Sequence, residues 1–370
     1  MKIYTNRVLS TSQVAALCCC LYACVGDDNG EAPDLTRFND VTLGECEQYD
    51  QSPLYRTRQN TQIVYPESNW VRIIETAPPG TEILFEDGTY TLNQNALRVR
   101  SGLTLRSLNA DPGRVLVKGM GYETPAQGIM ILGNDITIAD IALSDFRDHG
   151  VTVNPRSGGE QGLQLYNLDI KNIGTQHIKV NPDGARDGLI ACSSIGYSEG
   201  GAQGDYNGAI DMHATIDWTI RDNYIYNITG DGSGCDVDED CGRYISSPAI
   251  LVWNNAIGTD VIGNTIIDSF RNIAFGLGTP HSGGRILHNT INQTTSGGAG
   301  IELFGATDAV IEFNTVRLTG NHPGAIEYRQ TENLVISNNW FSKRPWDREG
   351  NVNLQFTGNA LSVSESPHLP

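Results

Sequence analysis

The stretch GAIDMHATIDWTIRDNYI (208–225) opens with two residues of the kinds that move protons, Asp211 and His213, close together on one strand. Ile210 and Met212 alternate with Asp211 and His213, so a strand with an apolar ladder on one side carries a carboxylate and an imidazole on the other. An imidazole exchanges its proton near neutral pH and a neighbouring carboxylate orients it, so the pair suits general acid–base work. Similar short strands recur along the chain. With Ile178, Ile210, Ile250, Ile273, Ile301 and Ile326 as one inward position, the next residue reads Lys179, Asp211, Leu251, Ala274, Glu302, Glu327. Two positions further, the series is Asn181, His213, Trp253, Gly276, Phe304, Arg329. A lysine, an imidazole, carboxylates, an arginine and aromatic faces on one ladder suit an acidic polysaccharide. Trp253 and Phe304 offer stacking faces, and Asp211, Glu302 and Glu327 offer further substrate contacts.

The chemistry expected of such a ladder is β-elimination in a uronate. The proton at C5 becomes acidic once the adjacent carboxylate is neutralised, by an arginine or by a cation held on carboxylates. Arg329 and Glu327 are the candidates for that task, directly or through a cation. Lys179 and His213 are both candidate bases, and the residue types do not choose between them. Glu302 and Glu327 are expected on adjacent coils, roughly 5 Å apart, the separation of a retaining glycosidase pair. Asp211 and Glu302 are expected roughly 14 Å apart, too far to share a proton-transfer centre. The ladder therefore offers one centre suited to a lyase or C5 epimerase and a second suited to hydrolysis. A plainer reading is a solvated face, in which Lys179 and Asp211 form a surface ion pair worth under ~1 kcal/mol and Trp253 covers a coil edge. On that reading the protein is a non-catalytic glycan-binding surface protein.

Repetition supplies the element that would position these residues. The segments DWTIRDNYI, TDVIGNTII, GRILHNTIN, DAVIEFNTV and NLVISNNWF follow the strands in turn. Asn264, Asn289, Asn314 and Asn339 recur at intervals of 25 (289 − 264, 314 − 289, 339 − 314). Short strands at a fixed period predict an all-β solenoid whose coils stack about 4.8 Å apart, so that equal positions form ladders. The asparagines are expected at a turn, in left-handed backbone geometry and bonded to their copies. The coils resemble the right-handed parallel β-helix of the pectate-lyase-like superfamily over about 81–356. PGTEILFEDGTYTL (79–92) is similar to the first strands of such proteins, NWVRIIETA (69–77) to their capping helix, and NDITIADIAL (134–143) to one of their coils. The resemblance implies an all-β, single-stranded solenoid with a short N-terminal capping helix, and a polysaccharide lyase among its activities. Asp211 stands where the pectate-lyase coil has a calcium-binding aspartate, whereas the superfamily's Arg-x-Pro-x-x-Arg, Gly-His-Gly and Asp-Pro-His signatures are missing.

Two insertions interrupt the period beside the Asp211 coil. The step from Ile210 to Ile250 is 40 residues, with TGDGSGCDVDEDCGRYIS (229–246) as the excess, and Ile178 to Ile210 is 32, with SEGGAQGDYNG (198–208). Loops there are expected to wall a groove. Asp236, Asp238 and Asp240 alternate in a form suggestive of calcium, and Cys235 and Cys241 bracket them as a candidate disulfide. The step from Ile273 to Ile301, at 28, is where the register is hardest to fix.

The N-terminus reads as an export signal: Lys2 and Arg7 precede VAALCCCLYAC, too short to span a membrane, and LYAC resembles a lipobox with Cys24 as the lipidated residue. The expected organisation is a signal over 1–24, a tether over 25–66 and the β-helix over 67–370. A secreted or periplasmic monomer, or one held at the outer-membrane surface by its lipid, follows from that reading. The formal charge of −18 argues against a nucleic-acid partner, which needs a basic stripe.

Overall fold

The computed structural model describes residues 46–124, 126–153, 159–181, 183–198, 206–230, 246–295 and 297–361. The chain divides into two units, Met1–Thr42 and Leu43–Pro370, and every described residue lies in the second. Cys24, Cys235, Asp236, Asp238, Asp240 and Cys241, named above for lipidation, a disulfide and calcium, lie outside the described residues.

Short strands wind in a fixed order through three sheets. One turn runs Asp260–Ile262, Thr265–Ile267 and Arg271–Ser282, and the next runs Arg285–Leu287, Thr290–Gln293 and Ile301–Thr307. Each strand pairs in parallel with its equivalent one turn away, as in Val261 with Ile286, Ile266 with Ile291 and Ile273 with Ile301. The chain is therefore a right-handed parallel β-helix. The inward isoleucines Ile178, Ile210, Ile250, Ile273, Ile301 and Ile326 are all buried and share one core. Removal from water stabilises each by roughly 1.5–3 kcal/mol.

The corner between the first two sheets is a two-residue turn whose chemistry explains the 25-residue asparagine period. Gly263, His288, Phe313 and Asn338 take the positive φ, at 65°, 55°, 56° and 56°. Asn264, Asn289, Asn314 and Asn339 follow them, so the left-handed residue is the one before each asparagine and not the asparagine itself. The asparagines are buried. Asn264 Nδ2 donates to Asn289 Oδ1 at 3.0 Å, Asn289 to Asn314 at 3.0 Å, and Asn314 to Asn339 at 2.9 Å. The same oxygens accept the backbone N–H of the preceding asparagine, and each Nδ2 also donates to a carbonyl such as Ile220 O or Val261 O. The ladder leaves no buried amide orphaned, which is the condition for burying it. At the exposed side of the turn, His288 and Phe313 stack with ring centres 5.0 Å apart, a contact that offsets their unusual backbone geometry.

The helix Trp70–Thr76 closes the N-terminal end of the coils. Trp70 and Ile74 are buried, and Trp70 lies 5.6 Å from the Tyr90 ring and 6.3 Å from Phe85. The tether expected to reach residue 66 is folded well before it. Asn60–Val64 is already a strand, paired with Thr81–Phe85. Upstream of it, Tyr49 is buried against Ala139, Tyr166 and Ala191, and Cys46 forms a disulfide with Cys192 across 146 residues. The physical reason is an apolar outer patch on the first sheet, which this segment covers. Among the described residues no helix is long and apolar enough to cross a membrane.

Candidate functional site

The third sheet carries the chemistry-bearing ladder, and its strands pair in this register: Lys179 with Asp211, Asp211 with Leu251, Leu251 with Ala274, Ala274 with Glu302, and Glu302 with Glu327. The three extra residues of the Ile273–Ile301 step are taken up by a bulge between Gly276 and His281. Gly276 is required at its start: φ is +96°, and a Cβ there would meet Phe304 O at 1.8 Å. The ladder is not a solvated face. Only 8% of the Lys179 side chain and 2% of Asp211 are exposed, with Glu302 and Glu327 at 9% and 7%.

Three strands and one insertion build the first cluster. Gln176–Val180 brings Lys179, Gly208–His213 brings Asp211 and His213, and Pro248–Trp253 brings Trp253. Tyr206, at the end of the 198–208 insertion, closes it. Lys179 Nζ contacts Asp211 Oδ2 directly, donates to Tyr206 Oη at 3.0 Å and lies 2.7 Å from His213 Nε2. Asp211 Oδ1 accepts from Trp253 Nε1 at 3.0 Å and lies 3.2 Å from His213 Nε2, while Tyr206 donates to Oδ2 at 3.3 Å. Trp253 also lies along His213, ring centres 4.9 Å apart. Burial pushes the Asp211 carboxyl up, but its close contact with His213 and the Lys179 charge outweigh it and hold the group below the ordinary carboxylate range.

An ammonium only donates, so in its contact with Lys179 the neutral His213 accepts at Nε2 and keeps its own proton on Nδ1. His213 Nδ1 lies 2.6 Å from Asn254 Nδ2, and that amide, reversed so that its oxygen faces the ring, would accept the Nδ1 proton. A proton arriving at Nε2 would meet Asp211 Oδ1. The arrangement thus accepts a proton on an imidazole and stabilises the resulting cation with a carboxylate that is already ionised. His149 lies near enough to feel the same charges: burial and then the Lys179 cation push it down to about 4, which keeps it neutral.

A second cluster occupies the C-terminal rungs of the same sheet. Arg271 contacts Glu302 Oε2, and Arg329 Nη2 lies 3.4 Å from Glu302 Oε1. Arg348 donates to Glu327 Oε1 at 2.7 Å, and His322 Nε2 lies 3.4 Å from Glu327 Oε2. Arg329 lies over the Phe304 ring at 3.9 Å and Arg348 over Trp346 at 4.9 Å.

The ladder brings Lys179, Asp211, His213 and Trp253 together and leaves Arg329, Phe304, Glu302 and Glu327 apart from them. Asp211 is three rungs from Glu302, roughly 14 Å, and the Arg329 strand is one rung further. Arg329 therefore cannot neutralise a carboxylate on the sugar that His213 or Lys179 attacks. The two glutamates are adjacent as expected, but both are held by arginines, which opposes the proton-carrying role a hydrolase pair requires. The donor set does not fit a calcium ion at Asp211 either: Lys179, Tyr206, Trp253 and His213 surround its two oxygens, and one of them is a cation. Among the described residues no three His, Cys, Asp or Glu side chains converge as a metal site. Tyr206, Asn254, His322 and Arg348 were not singled out by sequence. Tyr206 carried one signal, as the only aromatic residue in the shorter insertion.

No protein-family model matches the chain, and no curated protein sequence does. Solved structures with similar coils include an alginate lyase from Paenibacillus sp. str. FPU-7 (14% identity, TM-score 0.49, 80% of this chain and 98% of that one). The mannuronan C-5 epimerase AlgE4 A-module of Azotobacter vinelandii is similar at 10% identity and TM-score 0.47, over 80% of this chain and 91% of that one. The GH136 lacto-N-biosidase of Eubacterium ramulus is similar at 12% identity and TM-score 0.46, over 82% and 68%. These names span three reactions, and at this level of similarity none extends to this chain. By its own strand order and register, the chain is a right-handed parallel β-helix.

Proposed function

We propose that this protein is an exported lyase that cleaves a uronate-containing polysaccharide by β-elimination at the Lys179–Asp211–His213 cluster. The observation that carries the reading is the contact of His213 Nε2 with both Lys179 Nζ, at 2.7 Å, and Asp211 Oδ1, at 3.2 Å. It supports the following division of labour. The substrate carboxylate draws the Lys179 ammonium to itself, which neutralises the carboxylate, acidifies the C5 proton and frees His213 Nε2 in one movement. His213, rather than Lys179, is the base, because an imidazole is proton-free near neutral pH and an ammonium is not. The C5–H electron pair forms the C4–C5 double bond, the C4–O bond breaks, and the departing oxygen takes a proton from the Tyr206 hydroxyl. Asp211 stabilises the imidazolium while it lasts. Trp253 and Asn254 fix the carboxylate and the ring. The Cys46–Cys192 disulfide supports export, since such bonds persist in oxidising compartments.

Product masses test this directly. Elimination divides the polymer without adding water, so the masses of the fragments sum to that of the substrate. One water per cut would instead mean hydrolysis, uncut chains with altered C5 stereochemistry would mean epimerisation, and binding without any chemical change would leave a glycan-binding protein.

A further inference from the structure

The C-terminal cluster has a feature that its internal pairing does not explain. Three arginines surround two glutamates, so the group carries a net positive charge within a chain of formal charge −18. The arginine side chains remain partly open, at 27% for Arg271, 23% for Arg329 and 30% for Arg348. Arg271 and Arg348 each contact a glutamate through one terminal nitrogen, so donors of each planar fork remain for another acceptor. The glutamates beneath and the Phe304 and Trp346 rings beside them fix the guanidinium groups before any ligand arrives, which lowers the entropic cost of binding. They are spread along the solenoid: Arg271 begins one strand, Arg329 ends the strand two rungs on, and Arg348 follows the strand after that. A pyranose residue and a β-helix rung are of similar length, so a polyuronate lying along the solenoid axis presents about one sugar per rung to this stretch of the sheet.

We infer that Arg271, Arg329 and Arg348 form a distal carboxylate-binding subsite for a polyuronate chain, about two to five sugar residues from the bond cut at His213. This rests on the lyase reading for the place of the cut but not for the binding itself. The array of cations and aromatic rings would recognise a uronate's carboxylate and its apolar face together, and a neutral glycan only weakly. It also makes the enzyme selective for length, because short oligomers held at His213 cannot reach Arg329 and Arg348.

The test uses oligogalacturonates and oligomannuronates of two to eight residues with the full chain. In the wild type, kcat/KM rises steeply until the oligomer spans both clusters and then levels off. In Arg348→Gln and Arg329→Gln, kcat/KM on the octamer falls on the order of 10- to 100-fold through KM, and its ratio to the trimer's value moves toward one. Arg348→Lys, which keeps the charge without the fork, separates loss of the ligand contact from loss of folding, and thermal melting reports the latter. A wild type indifferent to length, or variants that lower octamer and trimer alike, overturns the inference and leaves the lyase reading intact. Octamer binding that is arginine-dependent but unaccompanied by cleavage, measured calorimetrically, keeps the subsite and removes the lyase reading. No binding and no cleavage removes both.

Discussion

His213 and His281 lie on the same sheet with opposite prospects. His213 has three polar neighbours and a partly exposed ring, whereas His281 is fully buried with no partner for either ring nitrogen and lies 4.0 Å from the Phe275 ring. Burial pushes His281 down to about 3. Between that value and the ordinary 6.5 the unfolded chain binds a proton that the folded one does not, so stability falls as pH falls through this range. We predict that His281→Leu removes this loss. Chemical denaturation at pH 7 and pH 4 should show the variant gaining on the wild type by on the order of 3 kcal/mol across the interval. Curves that stay parallel would show that His281 finds a proton partner. His177 and His149, both pushed down to about 4 by burial, keep the residual slope in the same direction. At this scale the sequence was partly legible. Asp211 and His213 were readable because strand alternation puts them on one side, and Lys179 because the inward isoleucines fix its rung. Asn254 and Tyr206 were not, since each depends on how the chain leaves a strand or re-enters one.

The elements owe their order to ladders, and the asparagine ladder is the most exacting of them. Asn289 both receives from Asn264 and gives to Asn314, so truncating it orphans groups on two neighbouring coils. Asn289→Ala should cost about 2–3 kcal/mol, read from the denaturation midpoint at unchanged slope. A loss well below 1 kcal/mol would mean that water enters the turn and replaces the amide. The 25-residue period made this ladder visible in the sequence, and with it the rung of every residue from Ile250 onward. What the period could not say was which of two turn residues bears the left-handed backbone, because Gly, His, Phe and Asn all occupy that place here. It was also silent on the Gly276 bulge, which absorbs three residues without moving Glu302 out of register with Ala274.

Across the whole molecule, one sheet gathers chemistry and another is used for closure. The segment from Cys46 to Asn60 lies on the first sheet and is bonded to it at Cys192, a link of high sequence separation that constrains the unfolded chain. No local pattern announces such a pair, and the closer spacing of Cys235 and Cys241 drew attention elsewhere. On the third sheet, Lys179 and the three arginines are the positive groups on which an anionic chain would lie in an otherwise acidic protein, and its attraction should weaken with added salt. The central claim is that His213 removes the C5 proton of a uronate. It is tested most directly by ultraviolet absorbance of the unsaturated uronate, recorded in parallel for the wild type and His213→Ala on polygalacturonate, alginate and uronate-containing glycosaminoglycans. The account predicts a rising signal on at least one polymer and a kcat on the order of 10²- to 10⁴-fold lower in the variant, with melting temperature retained. A variant as fast as the wild type would contradict the assignment of the base, and a flat trace from the wild type on every polymer would contradict the lyase itself.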